Sequence, residues 1–367
     1  MNHLQCSPKN IHNKISCFSD ESLIKIANKF NEEYPDDKIQ IPTNIDRESF
    51  WKELIGKIND KTGCDNDICL IEQPFIRKIK DKELHSSLRP IKPKEWIKSP
   101  SMWLSTTDIN NVLQQYEEKH MDFKYIGAVP IDFDKEFIMG MCVSDELCKL
   151  NLKNLYMNGI RKLGIVFNLD PHDKPGSHWV SMFTDMTNGG IYFFDSYGHE
   201  PPVEVCKLME KIRLQGNSLI DQGIITYSTI NNEHETYTKC KIENKQLIVD
   251  RSVDILMDTP IFLLDSNNKC VQQLNVINVS KHNMKILHLD KKINNDKEIR
   301  FISQKGFRKF YNNIRFQYGG SECGVYSIFF QTQLLNGKRF IDVISNIISD
   351  HTINNHRNYY YRTNDVK

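Results

Sequence analysis

Apolar residues recur at helical spacing in the first third of the chain. One amphipathic helix is predicted from Ser19, a residue type that favours the N-cap, and a second is predicted after Asp46, ending near Gly63. The apolar positions that share a face are Leu23, Ile24, Ala27 and Phe30 in the first segment and Phe50, Leu54, Ile55 and Ile58 in the second. The pattern therefore predicts a helical N-terminal region.

Residues 74–100 break this pattern. Prolines stand there among many lysines, at Pro74, Pro90, Pro93 and Pro100. Such a composition resists regular structure and is typical of a connector. We expect the domain boundary in this stretch, with a small helical domain over residues 1–90 and a larger domain over residues 91–367.

Helix signals stand near the start and the end of the larger region. Ser105 and Asp108 have the spacing of a capping box, and the apolar residues that follow at spacing i, i+3, i+4 and i+7 are Ile109, Val112, Leu113 and Tyr116. Near the C-terminus, the segment GGSECG (319–324) leads into the apolar run VYSIFFQTQLL. That run is long enough to predict a buried helix.

Between these helices lie short segments rich in β-branched and aromatic residues. The segments that predict strands are LGIVFN (163–168), HWVSMFT (178–184) and IYFFD (191–195). Asn188-Gly189 is a strong hairpin signal, so the last two should be antiparallel neighbours. Alternating stretches over residues 224–302, such as QLIVD and IFLLD, predict an added β-rich subregion.

The register of the predicted hairpin has two solutions. A two-residue turn at Asn188-Gly189 sets Met182 opposite Asp195. A wider loop over residues 185–190 brings His178 and Asp195 closer together. In both cases His178 and Asp195 fall at the open end of the hairpin.

Charge and composition exclude several classes of protein. The 367 residues carry 48 Lys and Arg against 47 Asp and Glu, a net charge of +1, which removes the electrostatic argument for a protein that works mainly on nucleic acid or acidic membranes. No apolar run approaches the ~18 residues of a spanning helix, and the N-terminus lacks a secretory signal pattern. The ten cysteines are dispersed, so we expect free thiols in a reducing compartment.

Cys323 differs from the other cysteines in its surroundings. Glycines on both sides, Gly320 and Gly324, allow a sharp turn and close approach of a substrate. The predicted helix places the sulfur at a helix N-terminus, which favours the nucleophilic thiolate. The alternative is a buried structural cysteine, the commoner role of this residue type.

A histidine, an acid and an amide accompany this thiol. At the open end of the hairpin, Asp195 can hold the imidazole of His178 in one tautomer while the other ring nitrogen faces a thiol. Gln317, six positions before Cys323, can point its amide N–H at an oxygen that gains charge during attack on a carbonyl. Taken singly, His178 could equally be a satisfied histidine and Gln317 an ordinary polar loop residue.

Together these residues resemble the adenovirus-protease and SUMO-protease group of cysteine peptidases. The shared pattern is His-Trp, an acid in an Asp-Ser context 17 residues later, and a Gln six residues before a Cys-Gly that opens a helix. Trp103-Leu104 with Asp108-Ile109 resembles the helix entry of their catalytic domain. The segments DPHDKPGSHWV, YFFDSYG, CFSDESLIKIANKFN and PKEWIKSPSMWLSTTDI resemble proteins assigned as thiol proteases in large cytoplasmic DNA viruses.

This resemblance implies an α+β fold, a mixed sheet with a nucleophile-bearing helix, joined to the small N-terminal helical domain. It makes residues 91–367 the catalytic domain, with an insertion around 224–302 that accounts for the 128 positions between Asp195 and Cys323. His178, Asp195 and Cys323 would form the triad, and Gln317 would donate to the oxyanion. Trp179 would bind substrate as the wall of a narrow channel for Gly-Gly or similar residues, unless it is simply a core tryptophan.

The same resemblance implies a thiol endopeptidase that needs no cofactor and no metal. Cys64 and Cys69 have no second pair at zinc spacing, so no metal site is expected there. The expected partners are protein substrates, either viral precursor proteins or ubiquitin-like conjugates. No membrane partner is expected, nucleic acid is a disfavoured but open alternative, and the expected location is the virion or the host cytoplasm. The alternatives are an isopeptidase of the same fold, an acetyltransferase and a non-catalytic binding module.

Overall fold

The computed structural model describes residues 5–11, 15–137, 140–226, 236–243, 246–249, 260–267, 269–281, 285–294, 297–304 and 306–363. Two units make up the chain: one combines Met1–Met121 with Ile314–Lys367, and the other is Asp122–Asn313. The first unit thus joins both ends of the chain. The boundary predicted near residue 90 instead separates an N-terminal from a C-terminal part of the chain, and it stays a prediction.

The helices of the described residues are, in chain order, α1 (Asp20–Glu33), α2 (Arg47–Thr62), α3 (Asp67–Ile71), α4 (Pro74–Arg77), α5 (Lys82–Ser86), α6 (Thr106–Lys119), α7 (Asp145–Cys148), α8 (Leu152–Met157), α9 (Val203–Asp221), α10 (Cys323–Leu335), α11 (Phe340–Ser345), α12 (Asp350–Asn355) and α13 (Arg357–Tyr360). The strands are β1 (Phe123–Pro130), β2 (Lys162–Asn168), β3 (Trp179–Asp185), β4 (Gly190–Phe194), β5 (Thr236–Glu243), β6 (Gln246–Val249), β7 (Pro260–Leu264), β8 (Cys270–Lys281), β9 (Lys285–Leu289), β10 (Phe301–Gln304) and β11 (Arg308–Tyr311).

The helices predicted from apolar spacing are confirmed. The Ser19 side chain caps α1 by accepting a hydrogen bond from the Ser22 N–H, and Gly63 ends α2 in a left-handed conformation with φ of 74°. Ser105 and Asp108 form a reciprocal capping box at the start of α6. Each of these ends satisfies backbone groups that the helix itself leaves unpaired.

The predicted connector over residues 74–100 is wrong in its first half. Two short helices, α4 and α5, lie there, and a 3-10 turn follows at Lys94–Ile97. Pro74 occupies the first turn of α4, where a missing N–H costs nothing. The segment is ordered because its apolar side chains fill the N-terminal core, namely Phe75, Ile76, Leu84 and Leu88.

The second unit contains a mixed five-stranded sheet in the order β1-β2-β3-β4-β11. The strand pairs β1–β2 and β4–β11 are parallel, while β3 is antiparallel to both β2 and β4. Strands β3 and β4 are buried along nearly their whole length, and α9 packs on this sheet through β4 and β11. Burial on both faces explains why their sequences are continuously apolar instead of alternating.

The hairpin of β3 and β4 has the wider of the two predicted loops. Asp185 pairs with Gly190, and the ladder continues to Ser181 opposite Phe194. Met182 therefore pairs with Phe193 and not with Asp195, so the two-residue turn at Asn188-Gly189 is wrong.

The β-rich insertion is a closed barrel whose strands follow the order β10-β5-β6-β9-β8-β7. Every pair in it is antiparallel. Its core consists of Leu247, Val249, Ile261, Leu263, Leu274, Val276, Leu287, Ile299 and Ile302. The predicted subregion is therefore a barrel with its own hydrophobic core, although residues 227–235 and 250–259 of the predicted range lie outside the described residues.

The expectation of dispersed free thiols is wrong. Disulfides join Cys6 to Cys17, Cys64 to Cys69, and Cys142 to Cys148. The free cysteines of the described chain are Cys206, Cys240, Cys270 and Cys323. Sequence spacing could not reveal the pairs, because pairing depends on Cα separations of 5.0–6.4 Å that only the fold creates.

Within the described parts of the chain, none of the helices combines the length and the apolar character that spanning a bilayer requires.

Gly216 of α9 is predicted to be intolerant of a side chain. A Cβ there would lie 2.4 Å from the ring of Phe307, a fully buried residue. We expect Gly216→Ala to lower the free energy of unfolding by about 1–3 kcal/mol through overpacking. Urea denaturation followed by fluorescence measures the change.

Gly56 of α2 is the matched control, because it is an exposed helical glycine with no heavy atom within 4 Å of an added Cβ. Gly56→Ala should raise the free energy of unfolding by roughly 0.4–1 kcal/mol. Equal effects of the two substitutions would contradict the proposed close packing of α9.

Candidate active site

His178 and Asp195 meet at the open end of the β3–β4 hairpin. His178 stands immediately before β3, and Asp195 immediately after β4. The His178 Nε2 lies 2.6 Å from the Asp195 Oδ1, and the two residues are only 8% and 2% exposed. The structure thus brings together the predicted histidine and acid in a buried ion-pairing geometry.

Tyr197 completes this arrangement. Its ring stacks on the imidazole of His178 with centroids 4.6 Å apart. Its backbone N–H donates to the Asp195 Oδ1 at 2.8 Å. The imidazole is therefore held from its edge by a carboxylate and from its face by an aromatic ring.

Asn312 fixes the backbone of Asp195. The Asn312 Oδ1 accepts from the Asp195 N–H at 2.9 Å, and the Asn312 Nδ2 donates to the Asp195 carbonyl at 2.7 Å. Asn312 is fully buried and follows β11, which lies parallel to β4. Nothing in the sequence marks this asparagine, because only the parallel crossover from β4 to β11 brings it beside the acid.

A second histidine also contacts the acid. His199 Nδ1 lies 3.1 Å from the Asp195 Oδ2, and its side chain is 74% exposed. The local turn that folds His199 back is closed by a hydrogen bond from the Gly198 N–H to the Asp195 carbonyl, with Gly198 at φ of 77°, so the signal available in the sequence was the Gly198 that precedes His199. Asp195 therefore accepts from two imidazoles, one buried and one at the surface.

Opposing effects set the ionisation of Asp195. Burial alone would raise the pKa of this carboxyl, but the hydrogen bond and the charge of His178 and the backbone N–H of Tyr197 together lower the pKa below its usual value. Asp195 is thus ionised at neutral pH. Because Nε2 of His178 faces this carboxylate, the tautomer with the proton on Nε2 is favoured.

Cys323 lies in the other unit, as the first residue of α10. It is buried, and almost every residue of α10 is buried with it. A Cβ on Gly324 would lie 2.9 Å from the Leu104 side chain, so the glycine after the cysteine permits close packing at the N-terminal end of α10. The helix start predicted at this thiol is therefore present.

Gln317 is fully buried in the loop that precedes α10. Its Nε2 donates to the carbonyl oxygen of Gly319 at 3.0 Å, and its main-chain carbonyl oxygen accepts from the Arg315 Nε at 2.7 Å. The amide is thereby fixed within the loop that carries Cys323. Its predicted role as an oxyanion donor stays a prediction.

Trp179 is the first residue of β3, paired with Asn168 of β2, and is 5% exposed. That burial suits a tryptophan that packs beside a strand. Its predicted role as a channel wall stays a prediction.

Among the described residues no group of three or more His, Cys, Asp or Glu side chains has the arrangement of a metal site. Cys64 and Cys69, the thiols considered for zinc, are joined to each other in a disulfide.

Comparisons with known proteins identify viral relatives. No protein-family model matches the chain. A protein of Acanthamoeba polyphaga mimivirus that carries a thiol-protease assignment is 28% identical over 367 residues, which cover 96% of this chain and 91% of that protein. A cysteine protease of African swine fever virus is 25% identical over 207 residues, covering 52% of this chain and 74% of the relative. In other isolates of that virus the relative is named a SUMO-1 cysteine protease.

Solved structures support the same relationship at the level of the fold. The crystal structure of the African swine fever virus protease matches 98% of this chain and 96% of its own, with a TM-score of 0.51 at 18% sequence identity. The predicted α+β fold with a mixed sheet is confirmed, and so is the predicted similarity to viral thiol proteases.

The lowered pKa of Asp195 predicts a specific pH dependence of the free energy of unfolding. Since the folded-state pKa of Asp195 is lower than its unfolded value of 3.8, its interactions stabilise the folded state fully above that value and are lost as the pH falls through the folded-state pKa. An asparagine side chain has one acceptor oxygen, so it can keep the hydrogen bonds from His178 and Tyr197 without a charge but loses the one from His199. We therefore expect the stability advantage of the wild type over Asp195→Asn to be constant between about pH 5 and 7 and to shrink below about pH 4.

Urea denaturation of both proteins across this pH range measures that difference. Asp170→Asn is the control, because the Asp170 carboxylate accepts a hydrogen bond from the Ser177 hydroxyl at an exposed site. An advantage that grows as the pH falls would contradict the ionised, hydrogen-bonded state of Asp195.

Proposed function

Since the chain is a cysteine-type peptidase related to viral thiol proteases, we propose that it is an endopeptidase with His178, Asp195 and Cys323 as its catalytic triad. Gln317 supplies the oxyanion donor. The substrates are viral structural or core proteins, cleaved after small residues such as Gly-Gly, and the site of action is the virion or the host cytoplasm.

The buried pair of His178 and Asp195 is the observation that carries this proposal. A carboxylate 2.6 Å from one imidazole nitrogen orients the ring and stabilises its protonated form. In the proposed enzyme Nε2 stays with Asp195, so Nδ1 is the nitrogen that exchanges a proton with the thiol of Cys323. The stacked ring of Tyr197 restricts rotation of the imidazole between these two partners.

The proposed reaction is acyl transfer. Cys323 gives its proton to His178, and the thiolate attacks the substrate carbonyl carbon to form a tetrahedral oxyanion. The oxyanion collapses, the C–N bond breaks, and His178 delivers the proton to the leaving amine. Water then attacks the thioester, its proton passes through His178, and the thiol of Cys323 is restored.

Stabilisation of the oxyanion is assigned to Gln317 and to the start of α10. The amide of Gln317 is already held in its loop, so little reorganisation is needed during the reaction. Cys323 begins α10, and the first backbone N–H groups of a helix lack intrahelical acceptors. Both donors act on charge that develops only after the thiolate attacks.

The viral relatives support a protease function for the whole chain. The match to the mimivirus protein extends over nearly all of both chains, including the N-terminal helices and the barrel region. A second candidate function is removal of a ubiquitin-like modifier, which the SUMO-1 cysteine protease name of the African swine fever virus relative favours. The two candidates share the triad and differ in the substrate bound on the N-terminal side of the scissile bond.

Substitution of the triad tests the chemistry. Cys323→Ala and His178→Ala should each abolish turnover of a Gly-Gly-containing peptide while urea denaturation stays cooperative. Gln317→Ala should lower kcat roughly 10²–10³-fold, the usual cost of an oxyanion donor. Cys206→Ala removes an exposed free thiol and is the control expected to retain activity. Turnover that survives Cys323→Ala would refute the assignment.

Two kinds of aldehyde inhibitor distinguish the candidate substrate classes. Peptide aldehydes that end in Gly-Gly, drawn from viral precursor proteins, should inhibit the enzyme faster than ubiquitin or SUMO aldehydes, because the proposed substrates are viral structural or core proteins. Sequencing the new termini of precursor proteins after incubation gives the cleavage site. Faster inhibition by a ubiquitin-like aldehyde would favour the isopeptidase instead.

A further inference from the structure

We infer that Asp350 is a positioning residue that holds the loop carrying Gln317 in its catalytic shape. This inference rests on the proposed function and extends it to a residue for which the sequence gave no signal. The loop in question, residues 317–322, is called the nucleophile loop because it leads directly into Cys323.

Asp350 binds the backbone of the nucleophile loop. Its Oδ2 accepts hydrogen bonds from the N–H groups of Tyr318 and Gly319, at 2.8 Å and 2.6 Å. Hydrogen bonds to an ionised acceptor are short and strong. These N–H groups immediately follow Gln317, so the carboxylate fixes the backbone on which the Gln317 amide is mounted.

The carboxylate is itself anchored on its other oxygen. Tyr326, a fully buried residue of α10, has its hydroxyl 3.1 Å from the Asp350 Oδ1 and 2.7 Å from the carbonyl oxygen of Ile348. Asp350 also begins α12, where a negative charge is favourable. Asp350 therefore connects the helix that carries Cys323 to the loop that carries Gln317.

The rest of the loop is held from the same side. The Glu322 Oε1 accepts from the Asn354 Nδ2 at 2.9 Å, and the Arg357 Nη2 donates to the Ser321 carbonyl at 3.3 Å. Asp350, Asn354 and Arg357 have the spacing i, i+4 and i+7, so one face of the C-terminal helical segment contacts the loop near both of its ends.

Gly319 packs tightly within its own loop and lies in contact with Asp350. A Cβ there would lie 2.6 Å from the Glu322 Oε2 and 3.4 Å from the Asp350 Oδ2. The carbonyl oxygen of the same glycine accepts from the Gln317 Nε2. Displacement of Gly319 therefore moves the partner that orients the Gln317 amide, which is how loss of Asp350 would reach the oxyanion donor.

Substituting Asp350 by asparagine or by glutamate distinguishes an effect of side-chain geometry from an effect of charge. In Asp350→Asn, the side-chain oxygen can accept from both N–H groups while the amide nitrogen donates to the Tyr326 hydroxyl oxygen, so kcat should stay near the wild-type value. Asp350→Glu keeps the charge but shifts the oxygens by one methylene. We expect Asp350→Glu and Asp350→Ala to lower kcat with little change in KM, because an oxyanion donor acts mainly in the transition state.

The decisive experiment is a double-mutant cycle with Gln317→Ala, measured as kcat on a Gly-Gly-containing peptide. Alone, Asp350→Ala should lower kcat by at most the roughly 10²–10³-fold expected for loss of the oxyanion donor itself. In the Gln317→Ala background, Asp350→Ala should lower kcat no more than about twofold, which is about the deviation from additivity that independent substitutions show. The rate of Cys323 alkylation by iodoacetamide, which needs no oxyanion donor, should be unchanged in all variants.

Asp342→Ala is the control, since the carboxylate of Asp342 on the neighbouring helix α11 binds the guanidinium of Arg339. It should leave kcat and alkylation unchanged. Losses that multiply in the double variant, or alkylation that falls in parallel with kcat, would overturn the inference and leave the peptidase proposal intact. A wild-type protein that is alkylated at Cys323 but turns over no peptide would overturn the proposed function, and this inference with it. Should Asp350→Ala fail to fold, the comparison of Asp350→Glu with Asp350→Asn decides the question by the same readouts.

Discussion

The antiparallel register of β3 and β4 determines where the acid–histidine chemistry of this chain can occur. Side-chain direction alternates along a strand, so a slip of one residue would turn the ends of the hairpin to the opposite face. The observed register, with Asp185 opposite Gly190, brings the two residues just beyond the hairpin ladder, His178 and Asp195, within hydrogen-bonding distance. Both strands are buried on their two faces, so any other register would have to repack close-packed side chains against both neighbouring layers, which is costly.

Local signals in the sequence were sufficient for the helices and strands but not for long-range pairing. Ser19, Ser105 and Gly63 act within a few residues of their own position, and each helix end formed as predicted. The hairpin register had two local solutions, and only packing of the complete sheet distinguishes them. Asn312 was missed for the same reason, since 117 positions separate it from Asp195. The three disulfides join cysteines only 5 to 11 positions apart and were missed because dispersed cysteines were interpreted as free thiols.

The order of the nucleophile loop comes from polar contacts more than from apolar packing. Gln317 is fully buried and Glu322 is 5% exposed, so their polar atoms need partners within the protein. Burial would raise the pKa of the Glu322 carboxyl, but hydrogen bonds from Asn354 and Ser321 lower it below the usual value. Connected polar groups in a low-dielectric interior stiffen one another. A loop built this way has few alternative conformations, which suits a part of the molecule that carries both Gln317 and the approach to Cys323.

Closure of the barrel has a consequence for how the fold accommodates so long an insertion. Its first and last strands, β5 and β10, are hydrogen-bonded neighbours, with Thr236 paired to Gln304. Paired residues in antiparallel strands lie about 5 Å apart, so the polypeptide leaves the insertion almost where it enters. Acquisition or loss of the whole barrel therefore changes the length of one crossover without altering which strands of the host sheet are adjacent. The barrel is thus a self-contained insert, whose closure and core do not depend on the pairing of the host sheet.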